Sequence, residues 1–404
     1  MSMERPFQSS IPDSQLADLR KRLELTRLPD EHDNCGWDYG APLSDMRRLV
    51  DRWRTGFDWR KVEKEMNELP MFTRDIQVDD FGTLNIHYVH QRSPVKGAIP
   101  LLFVHGWPGN FLEVRKILPL LVEDSPDHPS FHVVAMSLPG FTFSEGPGQR
   151  GFKGRQYAEA ANKLMLALGY NEYVTQGGDW GRHVTRDLAG YYGGKHVKAW
   201  HTNFPEAFPP RFWDHPWQWL LNTLTPYAQW EKDGLERTNW FLTKGAAYAY
   251  EHINLPQTIG YSLTDSPVGL LAWVYEKLVT WTDNYPWDDD EVLTWVSLYW
   301  FSRAGPTASL RIYKEFDQTR ESGRPLQPTL STVPMGISWF PRDIFVTPRT
   351  WMHTVGRVVF EAVHESGGHF AALERPDMLV SDVRKMFGRG GPAYGVVPGK
   401  DGYA

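Results

Sequence analysis

Cysteine is nearly absent from this chain of 404 residues, in which Cys35 is the one thiol. A disulfide framework within the chain is therefore excluded, and this fits a reducing compartment. No uninterrupted apolar run approaches the roughly 18 residues that a membrane-spanning helix needs. The first residues lack the apolar core of a signal sequence. We therefore expect a cytoplasmic protein with no transmembrane anchor.

Blocks of basic residues are missing as well. Lys and Arg total 43 against 49 Asp and Glu, so the formal net charge is −6. Nucleic-acid-binding proteins present clustered positive charge, so the sequence predicts no nucleic-acid partner. Internal repeats are also absent, and no motif calls for a metal ion or an organic cofactor. We expect the chain to work without a cofactor.

Aromatic residues, by contrast, are abundant, with 18 Trp, 17 Tyr and 21 Phe. Their side chains bring a large apolar area, and Trp and Tyr each add one polar group. This composition suits a large core or a pocket for an apolar ligand, and the counts alone do not separate the two.

Hydrophobic periodicity divides the chain into four parts. Amphipathic helical patterns and a hairpin come first, and apolar runs then alternate with helical patterns over Ile99–Val104, Phe131–Met136 and Tyr173–Thr175. Such alternation is typical of a parallel sheet covered by helices on both faces. It stops at about Phe204 and resumes near Gly336, and we interpret the Trp- and Tyr-rich stretch between them as an inserted helical cap. The predicted N-terminal extension with its hairpin, first core part, cap and second core part span 1–95, 96–203, 204–325 and 326–404.

The turn from Gly177 to Gly181 carries the first motif with chemical meaning. A strand-like apolar segment precedes it and a helical pattern follows, which is the context of the nucleophile turn of α/β-hydrolases. Asp179 stands where a serine hydrolase has its serine. A carboxylate attacks a saturated carbon and forms an ester that water must then cleave, so epoxide opening and halide displacement both fit. Read alone, Asp179 also fits a simple helix cap.

The loop from His105 to Gly109 is the second motif, and it directly follows an apolar strand-like segment. A turn rich in Gly and Pro at the carboxyl end of a strand lies where α/β sheets bind ligands. We predict that the backbone N–H of Trp107 points at a developing oxyanion, with the N–H of Trp180 as its partner. A tight turn without a chemical role is the alternative for this loop alone.

The third motif is the loop after the last strand-like segment, which contains His369. In α/β-hydrolases the chain order is nucleophile, acid, histidine, so His369 is the predicted base. His364 is the competing histidine. Asp343 follows the preceding strand-like segment and is predicted to orient the imidazole. Two nearby glutamates, Glu361 and Glu365, are interpreted as solvated or structural.

Together these residues resemble the microsomal, fungal and juvenile-hormone epoxide hydrolases. The resemblance covers most of the chain, and its motifs are His105–Gly109, Ser137–Phe141, Gly178–Gly181, Thr258–Gly260, Asp265–Gly269 and Gly367–Glu374. It implies an α/β-hydrolase fold, in the α/β class, with a mostly parallel central sheet flanked by helices, an inserted helical cap and an N-terminal helical extension. It also implies a nucleophile, a base and a charge-relay acid, which are Asp179, His369 and Asp343.

Two cap tyrosines of this family donate hydrogen bonds to the epoxide oxygen, because an alkoxide is a poor leaving group without stabilisation. Tyr248 and Tyr313 match them by position, and Tyr250 is the runner-up for the first. The chain departs from the family in two respects. It shows no apolar N-terminal anchor of the membrane-bound members, and Asp343 stands where some members have glutamate.

The resemblance implies hydrolysis of a small apolar epoxide to a vicinal diol through a covalent ester, either in detoxification or in a biosynthetic step. A dimer is common among such relatives, so a homodimer is one expectation. Two alternatives stay open. One is a haloalkane dehalogenase-like hydrolase, which shares the Asp nucleophile. The other is a non-catalytic homologue that binds an apolar ligand.

Overall fold

A central sheet organises the computed structural model, which describes residues 3–316 and 331–404. Its nine strands within these residues are β1 (Arg5–Pro6), β2 (Met71–Val78), β3 (Gly82–Gln91), β4 (Ile99–Val104), β5 (Phe131–Met136), β6 (Tyr173–Gly177), β7 (Val197–Thr202), β8 (Pro334–Trp339) and β9 (Arg357–Val363). Their order is β1-β2-β3-β5-β4-β6-β7-β8-β9. The pairs from β1 to β5 along this order are antiparallel, and the remaining pairs are parallel. The predicted mostly parallel sheet is confirmed.

Continuous apolar runs form the middle of this sheet because both of its faces are covered. Every residue of β4 is buried, as is every residue of β6. The bounds of β4 and β5 coincide with the apolar runs read from the sequence. Strands that are buried on both faces need side chains that tolerate the loss of water, which is why Ile, Leu, Phe and Val make up most of β4.

Three helices precede the β2–β3 hairpin: α1 (Asp13–Glu24), α2 (Leu43–Thr55) and α3 (Trp59–Met66). One face of α2 is buried through Met46, Leu49, Val50 and Trp53. These side chains recur at the three- and four-residue spacing of a helix face.

Three helices connect the inner strands: α4 (Val114–Val122), α5 (Gly154–Ala167) and α6 (Trp180–Tyr192). α5 packs on α6 and β2, and α6 also packs on β4, β6 and β7, whereas α4 packs on β5. The sheet therefore lies between helices, as the α/β class requires.

Seven helices follow β7 within residues 203–316 and form the cap: α7 (Pro216–Leu224), α8 (Gln229–Trp240), α9 (Ala247–Asn254), α10 (Pro256–Asp265), α11 (Pro267–Thr280), α12 (Asp289–Trp300) and α13 (Arg311–Phe316). A π-helical turn, Phe241–Gly245, joins α8 to α9. α1 and α2 contact α11, and α2 also contacts α12, where Arg52 donates two hydrogen bonds of 2.8 and 2.7 Å to the carboxylate of Asp290. The predicted boundary between residues 325 and 326 lies outside the described residues.

The C-terminal part adds α14 (Arg349–Met352), α15 (Ala371–Glu374) and α16 (Pro376–Phe387). α16 packs on α4 and β8. Across the described ranges, no helix combines the length and the apolar character that crossing a bilayer would take. Because β4, β6, β8 and β9 are parallel, the loops after their carboxyl ends meet at the same edge of the sheet. These loops hold the sequence motifs.

Candidate active site

Asp179 lies in a sharp turn between β6 and α6. Its backbone has φ 49° and ψ −129°, a conformation that side-chain-bearing residues rarely adopt. The turn is tight enough that a Cβ atom on Gly181 would lie 1.9 Å from the carbonyl oxygen of Val104. A Cβ atom on Gly177 would lie 2.6 Å from the backbone of Gly181. Glycine is therefore required on both sides of the strained aspartate, whose side chain reaches the carboxyl edge of the sheet.

The carboxylate of Asp179 is held by the loop after β4. The backbone N–H of Trp107 donates a 2.7 Å hydrogen bond to Oδ1 of Asp179. A Cβ atom on Gly106 would lie 2.0 Å from the same oxygen, so this close approach also needs glycine. In the part of the chain that the structure describes, no hydrogen bond joins the N–H of Trp180 to this carboxylate, and the role of Trp180 stays a prediction. The bond to Oδ1 leaves Oδ2 as the oxygen that faces the imidazole.

His369 lies between two carboxylates. Its Nδ1 is 2.6 Å from Oδ1 of Asp343, and its Nε2 is 3.4 Å from Oδ2 of Asp179. Oδ1 of Asp343 also accepts a 2.6 Å hydrogen bond from the N–H of Ile344. Burial by itself lowers the pKa of His369, but the two carboxylates outweigh it and raise the pKa to about 10. The imidazole is therefore protonated while both carboxylates are charged.

The competing histidine belongs to a different network. Nε2 of His364 lies 2.6 Å from Oδ2 of Asp382, and the hydroxyl of Ser338 donates a 2.6 Å hydrogen bond to the same oxygen. Glu361, one of the two glutamates interpreted as solvated or structural, lies near Arg349. The structure thus brings His369 to Asp179 and holds His364 at α16.

The predicted tyrosine pair lies together on the cap. The hydroxyls of Tyr248 and Tyr313 are 3.4 Å apart, and both side chains are buried. The ring of Tyr248 stacks on Trp107 with centroids 5.1 Å apart, and the ring of Tyr313 meets Trp180 edge-on at 4.7 Å. Burial raises the pKa of both phenols, so both stay protonated and can donate hydrogen bonds. Tyr250, the runner-up, is 61% exposed.

Two side chains of α12 attach the cap to the loop that holds the carboxylate. The indole N–H of Trp295 donates a 2.6 Å hydrogen bond to the carbonyl of Pro108. The hydroxyl of Tyr299 donates one of the same length to the carbonyl of Gly109. Cap and core therefore share a buried polar contact beside the carboxylate of Asp179.

A cavity of about 10 Å³ borders Asp179 and His369, and its wall includes a third carboxyl, that of Glu113. This volume is roughly what one water molecule requires. Burial raises the pKa of Glu113 to about 8. The negative charge of Asp179 adds to this increase, and the positive charge of His369 reduces it. Sequence reasoning missed Glu113. The available signal was its place as the first acidic residue after the Gly- and Pro-rich loop at Gly109.

In residues 3–316 and 331–404, no three or more His, Cys, Asp or Glu side chains are grouped so that they could hold a metal ion. The site as described consists of carboxylates, one imidazole, two phenols and backbone N–H groups. This set can attack a carbon, donate to an oxygen and deprotonate a water.

Comparisons with known proteins found relatives that match nearly the whole chain. The family described as "Epoxide hydrolase N terminus" matches residues 4–114, and the family described as "alpha/beta hydrolase fold" matches residues 99–255. Epoxide hydrolase 1 of Sus scrofa is 33% identical over 412 residues, covering 95% of this chain and 88% of its own length.

Solved structures of epoxide hydrolases also match nearly the whole chain. The Aspergillus niger epoxide hydrolase superposes with a TM-score of 0.82 at 36% identity, covering 94% of this chain and 95% of that one. The juvenile hormone epoxide hydrolase of the silkworm Bombyx mori superposes with a TM-score of 0.85 at 27% identity, covering 95% and 93%. The similarity in sequence and structure therefore extends over nearly the whole chain.

Proposed function

Because the chain belongs to the epoxide hydrolase family, we propose that it adds water to an epoxide through a covalent ester on Asp179. The resemblance read from the motifs is confirmed, and the reaction class follows from family membership. What we propose is the set of residues and the order of the steps. One observation carries it: the Asp179 carboxylate lies between the N–H of Trp107 at 2.7 Å and the imidazole of His369 at 3.4 Å.

The first step is alkylation of the enzyme. Oδ2 of Asp179 attacks one ring carbon, and the bond from that carbon to the epoxide oxygen breaks. Tyr248 and Tyr313 donate hydrogen bonds to this oxygen, which takes a proton as negative charge develops on it. The short distance between the two hydroxyls supports a shared acceptor, since one oxygen atom can accept from both.

The second step is hydrolysis of the ester. His369, oriented by Asp343, removes a proton from a water molecule, and the resulting hydroxide attacks Cγ of Asp179. The N–H of Trp107, with that of Trp180, stabilises the oxyanion that forms on Oδ1. The diol leaves with the original Oδ2. The proton that His369 removed balances the proton that the tyrosine pair gave to the epoxide oxygen.

Charge explains why the base works only in the second step. In the free enzyme the two carboxylates keep the imidazole protonated. Ester formation makes Asp179 neutral, which removes one of these two carboxylate charges and lowers the pKa of His369. The imidazolium then gives its proton to the phenolate that the first step left in the tyrosine pair, and the neutral imidazole can accept a proton from water.

The substrate class and the assembly state are further parts of this proposal. The aromatic rings around the tyrosine pair favour a small apolar epoxide. A homodimer is supported by α7, whose residues are all partly or fully exposed and include the apolar Trp217, Leu221 and Leu224. Exposed apolar patches of this kind mark interaction sites, and light scattering would report the oligomeric state. The cytoplasmic location and a role in detoxification stay predictions.

The decisive experiment is a single turnover in ¹⁸O-labelled water with enzyme in excess over the best substrate of an epoxide panel. We expect unlabelled diol and one ¹⁸O atom in the peptide that contains Asp179, since the diol takes its oxygen from the carboxylate. Direct attack of water would put the label into the diol at once. Asp179→Ala should have no turnover, and normal turnover by this variant would end the proposal.

The dehalogenase alternative shares the carboxylate nucleophile but has no need of the two phenols. The same preparation should therefore be tested with haloalkanes, with halide release as the measurement. Halide release that persists at an unchanged rate in Tyr313→Phe would favour that alternative. Binding of epoxides without turnover of any panel member would favour the non-catalytic homologue.

A further inference from the structure

A lysine is buried next to the tyrosine pair. Nζ of Lys277, in α11, lies 4.8 Å from the ring centroid of Tyr248 and 5.5 Å from that of Trp273. Its side chain is only 7% exposed, and its ammonium group forms an ion pair with the carboxylate of Glu276, the residue before it. Lysine is among the residues least often buried, because its charge loses hydration. The burial of this lysine over a phenol ring therefore needs a physical explanation.

The imidazole that lies against the tyrosine pair carries no charge that competes with this lysine. The imidazole of His252, in α9, contacts the rings of both tyrosines, with centroids 5.3 and 4.8 Å away. Its Nε2 accepts a 3.0 Å hydrogen bond from the indole N–H of Trp273, and burial lowers its pKa to about 3, so the ring is neutral. Burial lowers the pKa of Lys277 to about 7, so about half of the lysine is charged at pH 7.

Among the described residues, Lys277 is the one cation that lies over a ring of the tyrosine pair. The ring of Tyr248 also stacks on Trp107, whose N–H holds the Asp179 carboxylate. The lysine is thus connected to the site through Tyr248, although it does not itself border the small cavity beside Asp179 and His369.

We propose that Lys277 is a positioning residue for epoxide opening, whose ammonium group makes Tyr248 a stronger donor to the epoxide oxygen. This role rests on the proposed function, in which Tyr248 donates during alkylation. As the ring carbon–oxygen bond breaks, negative charge grows on the oxygen and, through the hydrogen bond, on the phenol. A phenol ring that gains negative charge attracts a cation over its face more strongly than a neutral ring does. The lysine therefore stabilises the transition state more than the ground state.

The two chemical steps should respond differently to the loss of this charge. Alkylation needs charge to develop on the tyrosine pair. Hydrolysis of the ester takes place among Asp179, His369 and water, and it requires no such charge on Tyr248. Removing the ammonium group should therefore slow the first step and leave the second nearly unchanged.

The test is a single-turnover comparison of Lys277→Met with Lys277→Arg. Epoxide loss reports alkylation, and diol appearance reports hydrolysis. We expect Lys277→Met to slow alkylation about 10- to 30-fold, the size of a desolvated cation–π contact, with hydrolysis within about threefold. Lys277→Arg should restore most of the rate, because it keeps the cation. Lys232→Met removes an exposed lysine of α8 and should change neither rate.

Thermal unfolding separates this role from a structural one. Replacing a buried ammonium by an apolar side chain of similar shape is often stabilising. We therefore expect Lys277→Met to melt at the wild-type temperature or above it while it alkylates slowly. A slower variant that is also unfolded at the assay temperature would overturn the electrostatic role unless Lys277→Arg, folded, recovers the rate. Unchanged alkylation in folded Lys277→Met would overturn it outright.

A double variant distinguishes failure of this role from failure of the proposed function. If Lys277 acts through Tyr248, then Tyr248→Phe with Lys277→Met should be no slower than Tyr248→Phe alone. If the double variant alkylates more slowly than Tyr248→Phe, by the further factor that Lys277→Met causes alone, the lysine acts elsewhere and the inference is overturned. If Tyr248→Phe alone leaves alkylation unchanged, the tyrosine role in the proposed function fails first, and the role of Lys277 falls with it.

Discussion

Nε2 of His369 lies 3.4 Å from Oδ2 of Asp179. This pair links the two steps, since the charge of the proposed nucleophile sets the protonation of the proposed base. While the carboxylate is charged, it helps to raise the pKa of His369 to about 10. Once the carboxylate is an ester, this contribution is gone and the base is released. In the proposed mechanism, the order of the chemical steps therefore follows from the electrostatics of this pair.

The first prediction follows from this relationship. Asp179→Asn removes the charge while keeping the shape, so the pKa of His369 should fall by at least one unit from its value of about 10. NMR titration of ¹⁵N-labelled histidine measures the midpoint directly. Asp343 remains as a partner in this variant, which keeps the ring in place. An unchanged midpoint would show that Asp179 does not control the protonation of the base.

The second prediction concerns the covalent intermediate. His369→Gln keeps the nucleophile but has no base for the water, so alkylation should proceed and hydrolysis should stop. Mass spectrometry should find the protein heavier by one epoxide, with the added mass on the peptide that contains Asp179. The double variant with Asp179→Ala is the control and should gain no mass. An adduct that persists in the double variant would place the ester on another residue.

The third prediction tests the tyrosine pair. Tyr248→Phe and Tyr313→Phe should each slow alkylation by about 10- to 100-fold, because each removes one donor to the developing alkoxide. Removing both should nearly abolish alkylation. Tyr250→Phe is the matched control in the same helix, since Tyr250 is exposed, and single-turnover epoxide loss is the measurement. If Tyr250→Phe slows alkylation more than Tyr248→Phe does, then Tyr250 rather than Tyr248 is the donor to the epoxide oxygen.

The fourth prediction concerns Glu113 and stability against pH. Burial raises its pKa in the folded protein to about 8, above the ordinary value of 4.5. The protonated carboxyl therefore contributes stability that is fully present below pH 4.5 and is lost as pH rises through about 8. The glutamine of Glu113→Gln cannot ionise, so the free energy of unfolding of this variant does not fall in this way as the pH rises. The stability of the variant relative to the wild type should therefore increase from pH 5 to pH 9. We expect a difference of about 1–4 kcal/mol at the upper end.

Urea unfolding at each pH measures this difference, with the wild type run in parallel. Equal pH dependence of the two proteins would show that Glu113 is not buried as a neutral acid. The same variant reports on catalysis, since a carboxyl that borders the water-sized cavity should help to place the hydrolytic water. We expect Glu113→Gln to slow ester hydrolysis more than it slows alkylation, both compared with the wild type.

The fifth prediction tests the nucleophile turn. A methyl group on Gly181 would lie 1.9 Å from the backbone carbonyl of Val104, which has no room to move within a buried strand. Gly181→Ala should therefore lose about 3–5 kcal/mol of stability or fail to fold. Gly148→Ala is the matched control, because no heavy atom lies within 4 Å of its added methyl group. A Gly181→Ala protein with the wild-type melting temperature would contradict the described packing of the turn.

The local patterns of the sequence predicted much of the fold. The apolar runs that became β4 and β5 were recognised with the bounds that the structure has, since strands buried on both faces must be apolar throughout. Short motifs also indicated the turn at Asp179 and the late loop at His369. These motifs depend on contacts between residues that are close in sequence, and such contacts are visible in the order of residue types.

Contacts between distant segments were not predictable in this way. Glu113 borders the cavity because α4 begins directly behind the loop after β4, and nothing in its residue type indicates burial. The lysine at position 277 looks like any charged residue of an amphipathic helix, and only the packing of α9 against α11 places it over Tyr248. The contacts of α1 and α2 with the cap likewise depend on tertiary packing.

By itself, the sequence determined the α/β class, the parallel order of the core and the candidate residues, because steric demands and apolar periodicity act within a few residues. The tertiary structure alone decided that the carboxyl of Glu113 lies beside Asp179 and His369, and that Lys277 is the cation over the ring of Tyr248. Pairings of this kind depend on distances and on burial in a medium of low polarity, and both arise only when remote segments pack together.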